Sequence, residues 1–97
     1  MHYLLFYEKV PDHAQREPPL RAAHLAHLQA AVAHGDVVLG GSLADPDDGA
    51  AIVLFRADSP AVVERFAEAD PFVVHGVVSR WRIRPWRTVI GKDAESR

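Results

Sequence analysis

Two alanine- and valine-rich segments, each opened by proline and closed by a residue that cannot extend a helix, constrain the fold of this chain more than any other feature. The first runs from Leu20 to His34 without proline or glycine, and Leu25, Leu28 and Val32 recur in it at spacings of three and four. That period describes one face of a helix. Glu17-Pro18-Pro19 precedes it and Gly35 follows it. Proline suits a first helical turn, where its missing N–H would have no partner, and glycine suits the left-handed C′ position. The second segment, Ala61 to Ala69, follows Ser59-Pro60 with the serine as N-cap. It must end at or before Asp70, because Pro71 pushes the preceding residue out of the α region.

The segments between are short, branched and apolar. His2 to Val10 is rich in aromatic and branched residues and stops at Pro11-Asp12, which predicts a strand with Leu4 and Phe6 on one face and Leu5 and Tyr7 on the other. Pro11 to Pro19 reads as a polar connection. Asp36–Ala44 and Ala50–Arg56, separated by Asp45-Pro46-Asp47-Asp48-Gly49, carry a hairpin signal, and Gly40-Gly41 marks a bulge or a close approach to the backbone. A last strand is expected from about Val77 to Ile83. The order strand, helix, strand, strand, helix, strand matches the split βαβ, or ferredoxin-like, arrangement. This is an α+β sandwich with a four-stranded antiparallel sheet and two helices on one face. Residues 1–90 make one domain, and the polar stretch 91–97 is expected to be mobile. A sheet this small leaves its other face needing cover, which predicts a homodimer through that face.

With 97 residues, 48% hydrophobic and 25% charged, the chain suits one compact domain. A formal charge of −2 gives no electrostatic case for nucleic acid or anionic membrane as partner. No cysteine is present, which excludes disulfides, thiolate metal sites and a cysteine nucleophile. Glu8 and Lys9 interrupt any signal-peptide core, and no apolar run reaches the length of a membrane span. These features predict a soluble, cytoplasmic protein.

Arg21-Ala-Ala-His24-Leu25, the Gly35 stop, Gly40-Gly41-Ser42-Leu43, Gly49, Asp70-Pro71-Phe72, Gly76 and Pro85-Trp86 stand in an order and spacing that resembles the YCII-related (YciI-like) domain family. The resemblance runs from Tyr3 to Trp86. It implies a dimeric ferredoxin-like fold of the α/β-barrel type and an active site built from a helix histidine and an Asp-Pro aspartate, which map onto His24 and Asp70. One branch of the family is a dehydrochlorinase acting on a chlorinated hydroxyquinol. Two positions depart from the family's usual pattern: Ser42 stands where proline is frequent, and His75 where a small or apolar residue is frequent.

The residues themselves suit proton transfer. Histidine titrates near neutrality, and a carboxylate beside it fixes its tautomer and supports its charged form. His24 is therefore the candidate general acid/base and Asp70 its orienting carboxylate, although Asp70 also suits a plain helix-ending Asx-turn. Ser42 lacks the Gly-x-Ser-x-Gly setting of a nucleophile and is read as hydrogen-bonding the substrate, and Arg21, Gly41, Phe72 and His75 are read as further substrate-binding residues. His24, His27 and His34 do not converge on an obvious third ligand, so no metal is expected, and no cofactor is implied. His27 and His34 are assigned to the solvated face of their helix. Arg80, Arg82 and Arg84 alternate with Trp81 and Ile83, giving the last strand one basic face. The reading is a small enzyme acting on a small-molecule substrate. A non-catalytic ligand-binding or interaction module is the competing one, and a cavity at His24 separates the two.

Overall fold

The computed structural model describes residues 1–95. Strands β1 (His2–Lys9), β2 (Val37–Ser42), β3 (Ala51–Arg56) and β4 (Val78–Trp86) form one sheet in the order β2-β3-β1-β4, with every neighbouring pair antiparallel. Four helices connect them: α1 (His13–Arg16), α2 (Arg21–His34), α3 (Pro60–Ala69) and α4 (Pro71–Val74). This is the expected four-stranded α+β arrangement. The polar connection after β1 is more ordered than its composition suggested, since it holds α1 and a 3₁₀ turn over Pro18–Leu20. β4 also continues beyond Ile83 to Trp86, paired with β1 along its length.

Alternation along β1 decides which side is the core. Tyr3, Leu5 and Tyr7 are buried on the helix side, opposite Phe55, Val53 and Ala51 of β3. Leu4 and Phe6 point to the open face, across from Arg84 and Arg82, so the basic face of β4 belongs to the side of the sheet without helices. α3 closes the core by burying Val63, Phe66 and Ala67, whereas α2 has no fully buried residue. Leu25 and Val32 on α2 remain about half exposed, at 47% and 52%. Helix α2 therefore stands off the sheet, and space opens beneath it.

Two histidine placements differ between sequence and structure in an informative way. His34 is exposed and pairs with Asp36 at 3.2 Å, as its assignment to the solvated face requires. His27 does not lie there. Its Nε2 meets the Phe66 carbonyl oxygen at 2.8 Å and its ring stacks on Phe66, so it clamps α2 to α3. Helical spacing alone could not reveal this, because the α3 carbonyl it meets lies 39 residues away in sequence. The polar stretch that begins at Gly91 folds back on the domain as far as Glu95. The Glu95 carboxylate accepts from Arg56 Nε at 2.9 Å, and its N–H donates to Thr88 Oγ1, which also contacts His2 Nδ1 at 2.7 Å. Residues 96 and 97 lie outside the described residues. No helix of the described residues is long and apolar enough to cross a membrane.

Two glycines fix how the chain leaves its elements. Gly35 ends α2 at φ +94° with open space around its missing side chain, and Gly49 turns the β2–β3 connection at φ +85°. A Cβ on Gly49 would lie 2.7 Å from His13 Nε2. Gly35→Ala should therefore cost about 1 kcal/mol, the backbone cost alone. Gly49→Ala should cost at least about 2 kcal/mol, because the His13 ring, held by Glu17, must also move. Urea unfolding of the two variants checks the order; equal losses would remove the His13 contact from the account.

Candidate active site

Asp70 is fixed by the sequence around it. Pro71 holds it in an extended conformation at φ −67° and ψ 125°, between α3 and α4, and its Oδ1 accepts the Phe72 N–H at 3.0 Å. This is the Asx-type cap expected at a helix junction. The carboxylate is fully buried, yet it is satisfied from three directions. His24 Nδ1 reaches Oδ1 at 2.8 Å and the Tyr7 hydroxyl donates to Oδ2 at 2.7 Å. Burial pushes the Asp70 carboxyl upward, but the hydrogen bonds from His24, Tyr7 and the Phe72 N–H outweigh it and hold the group below the usual aspartate range. Tyr7 moves the other way. Its burial first, then the charge and hydrogen bond of Asp70, raise the phenol far above the ordinary tyrosine range, so it stays a donor.

An ionised carboxylate can only accept, so His24 Nδ1 must carry the proton. In the neutral ring, Nε2 is then an acceptor, and it has no hydrogen-bond partner among the described residues. The ring itself is clamped from one side. Phe72 stacks on it with centroids 3.8 Å apart and planes 6° from parallel.

His24 borders a cavity of about 330 Å³ between α2 and the sheet. Its walls are largely Leu25, Leu28 and Val32 of α2 and Val37 and Val53 of the sheet, and Tyr7, Lys9, Gln29 and Ser42 also line it. The floor exists because small residues lie where the strands pass beneath α2. Ala51 pairs with both Tyr7 and Ser42, and Gly40 pairs with Val53, where an added Cβ would lie 3.3 Å from Val53 Cγ2. Gly40 is thus the close-approach point, next to a register shift between Val37 and Leu39, whereas Gly41 has open space around its missing side chain.

The seven residues singled out in the sequence divide into three groups. His24, Gly41 and Ser42 line the cavity. Asp70 and Phe72 lie behind His24, bonded to it and stacked on it, and Phe72 is buried rather than lining the cavity. Arg21 and His75 are elsewhere. Arg21 is half exposed with its guanidinium 3.9 Å from Glu17, and exposed His75 receives Arg16 at its backbone carbonyl. Sequence reasoning missed Tyr7 and Lys9. The available signal was the β1 alternation, which puts Tyr7 on the Leu5 face with a hydroxyl that must find a partner once buried. Among the described residues no group of three or more His, Cys, Asp or Glu is placed to hold a metal.

An antiparallel four-stranded sheet with helices on one face, enclosing a small cavity edged by a carboxylate-bound histidine, defines a small α+β protein of the ferredoxin-like type. The chain belongs to the YCII-related domain family, whose model matches residues 1–87. It is 28% identical over 97 residues to Protein YciI of Escherichia coli O6:H1 (strain CFT073), with 92% of this chain and 99% of that one covered, and equally so to Protein YciI of Shigella flexneri. Its fold is similar, with a TM-score of 0.77, to the 5-chloro-2-hydroxyhydroquinone dehydrochlorinase TftG from Burkholderia phenoliruptrix AC1100 in complex with 2,5-dihydroxybenzoquinone. Identity to that protein is 26%, with 98% of this chain and 100% of that one covered.

The three-donor arrangement predicts coupled stability losses. Asp70→Asn should lower the unfolding free energy by about 2 to 4 kcal/mol and Tyr7→Phe by about 1 to 2 kcal/mol, with the double variant losing less than both together. Because folding depresses the Asp70 carboxyl, its stabilisation is present above the ordinary aspartate value near 3.8 and is lost as pH falls through the lower folded value. Urea unfolding should show wild type and Asp70→Asn converging below that pH. A constant gap down to the acid limit would contradict it.

Proposed function

We propose that this protein is a small, cofactor-independent enzyme that moves a proton on a compact, enolisable or phenolic substrate. His24 is the general acid/base through Nε2, Asp70 orients and supports its ring, and Ser42 hydrogen-bonds the substrate at the cavity edge. The observation that carries this reading is the ring polarity of His24. Its Nδ1 is committed to a buried carboxylate at 2.8 Å while the same ring borders an apolar cavity of about 330 Å³. A histidine serving packing alone would have no need of a free acceptor at a cavity wall.

An elimination of the dehydrochlorinase kind fits such a site. A base removes a proton from the substrate, the electron pair it leaves forms a carbon–carbon or carbon–oxygen double bond, and chloride departs with the carbon–chlorine pair. The similarity to the TftG structure supports testing this reaction first. Chloride release from 5-chloro-2-hydroxyhydroquinone, and deuterium uptake from D₂O by its chlorine-free analogue 2-hydroxyhydroquinone, should both exceed the buffer rate with wild type. Both should fall by about two to four orders of magnitude in His24→Gln. Equal rates in the two proteins, or rates no faster than buffer, would overturn the reading; ligand binding without turnover would favour a binding module instead.

The assembly belongs to the same proposal: two copies pack through the open sheet face. Leu4, Phe6, Ile52 and Leu54 are half-buried there, and Leu39, 64% exposed, pairs with Leu54 in the register. An apolar strip of this kind in an isolated chain is covered most simply by its own copy. Light scattering should give a dimer for wild type and a monomer for Leu54→Arg. A monomeric wild type at micromolar concentration would exclude this interface.

A further inference from the structure

Among the described residues, Lys9 is the one lysine or arginine on the wall of the His24 cavity, and nothing in its sequence context marks it. It closes β1, and its side chain is largely withdrawn from solvent, at 9% exposure. A buried ammonium carries three donors that need acceptors. One goes to Glu17 Oε2 at 3.3 Å, its sole hydrogen bond among the described residues, and the group also lies 5.1 Å from the centroid of the Phe72 ring. Glu17 does not cancel the charge by itself. The same carboxylate oxygen is bonded by His13 Nδ1 at 2.5 Å, and Arg21 approaches its other oxygen at 3.9 Å.

We propose that Lys9 is the anion anchor of this cavity and sets its substrate class: a ring compound of about benzene size carrying an acidic oxygen, a phenolate or an enolate. The inference rests on the proton-transfer reading of His24 and deepens it. Phe72 gives the scale. The Phe72 centroid lies 3.8 Å from that of the His24 imidazole and 5.1 Å from the Lys9 ammonium, which brings the two side chains within the neighbourhood of one small ring, and both residues line the cavity. The step forms that anion on Lys9: in the keto tautomer a neutral carbonyl oxygen faces Lys9, His24 Nε2 takes the proton from the neighbouring ring carbon, the C–H pair becomes a carbon–carbon double bond, and the carbonyl π pair moves onto the oxygen, which becomes the phenolate or enolate. In a cavity walled by leucine and valine, one fixed positive charge discriminates strongly in favour of an anion, because little water competes.

The test uses 2,5-dihydroxybenzoquinone, whose hydroxyls are acidic as vinylogous carboxylic acids, against hydroquinone, a ring of the same size that is uncharged at neutral pH. Lys9→Met keeps the length of the stem and removes the charge; Lys9→Arg keeps the charge. Calorimetric titration should show Lys9→Met binding the quinone anion at least about tenfold more weakly than wild type, and Lys9→Arg within about threefold. Hydroquinone affinity should be the same in all three proteins. Added salt should weaken anion binding to wild type and leave Lys9→Met unaffected. Lys9→Met matching wild type within twofold for the anion, or losing both ligands alike, overturns the anchor. His24→Gln reports separately: it should keep anion binding while losing deuterium exchange, so a failed base and a failed anchor give different results. A wild type that binds neither compound overturns both.

Discussion

A buried carboxylate with three donors organises this molecule. Asp70 takes one hydrogen bond from β1 through Tyr7, one from α2 through His24 and one from the start of α4 through the Phe72 N–H. Three elements distant in sequence are thus tied to a single side chain. Burying a charge costs several kcal/mol unless its lone pairs are met, and here each bond removes part of that cost. The arrangement therefore tolerates loss poorly. It also fixes the His24 tautomer at no further expense, because a carboxylate kept ionised leaves Nδ1 no role other than donor.

The cavity follows from a second constraint, the sizes of residues in register. Along the helix side of the sheet, the row Tyr3, Phe55 and Val37 is filled, the row Leu5, Val53 and Gly40 thins toward β2, and the row Tyr7, Ala51 and Ser42 is small except at Tyr7. α2 cannot descend onto this floor. Gly35 and the 3₁₀ turn at Pro18–Leu20 set its two ends, and the His27 contact with Phe66 holds it to α3. The void under Leu28 and Val32 is therefore built into the register and the helix stops, and the His24 ring faces it because Asp70 and Phe72 hold it from behind.

Much of this was legible in the sequence because it is carried by local signals. Proline starts, the Gly35 stop and period-two alternation gave the element order, and Asp70-Pro71 gave a fixed carboxylate. What was not legible depends on distance in space. Tyr7 reads as one more aromatic on an inward strand face until Asp70 arrives from 63 residues away. Lys9 reads as a strand-ending charge. Arg21 shares a helix face with His24, but its long side chain turns toward Glu17, one turn before it. Phe72, read as a substrate-binding residue, lies beside Asp70 in the structure and is buried. Its contact is with the imidazole, however, and a ring stacked at 3.8 Å is screened from the cavity by the residue it supports.

The same construction occurs twice around Phe72. On one side a carboxylate, Asp70, stands behind His24; on the other a carboxylate, Glu17, stands behind Lys9. His24 and Lys9 line the cavity, and Asp70 and Glu17 are not among its lining residues. Glu17, like Asp70, is held below the usual carboxylate range: burial opposes this, and the hydrogen bonds and charges of His13 and Lys9 outweigh it. The two pairs use separate carboxylates, and Phe72 contacts both nitrogen-bearing side chains, stacking on the imidazole and lying 5.1 Å from the ammonium. That separation has a chemical consequence. Were Lys9 in direct contact with Asp70, its charge would compete with His24 for the carboxylate and weaken the support of a protonated imidazole. With separate carboxylates behind them, the proposed roles are compatible: His24 would exchange the proton while Lys9 holds a fixed charge, a division of labour that a single ion-pair cluster could not sustain.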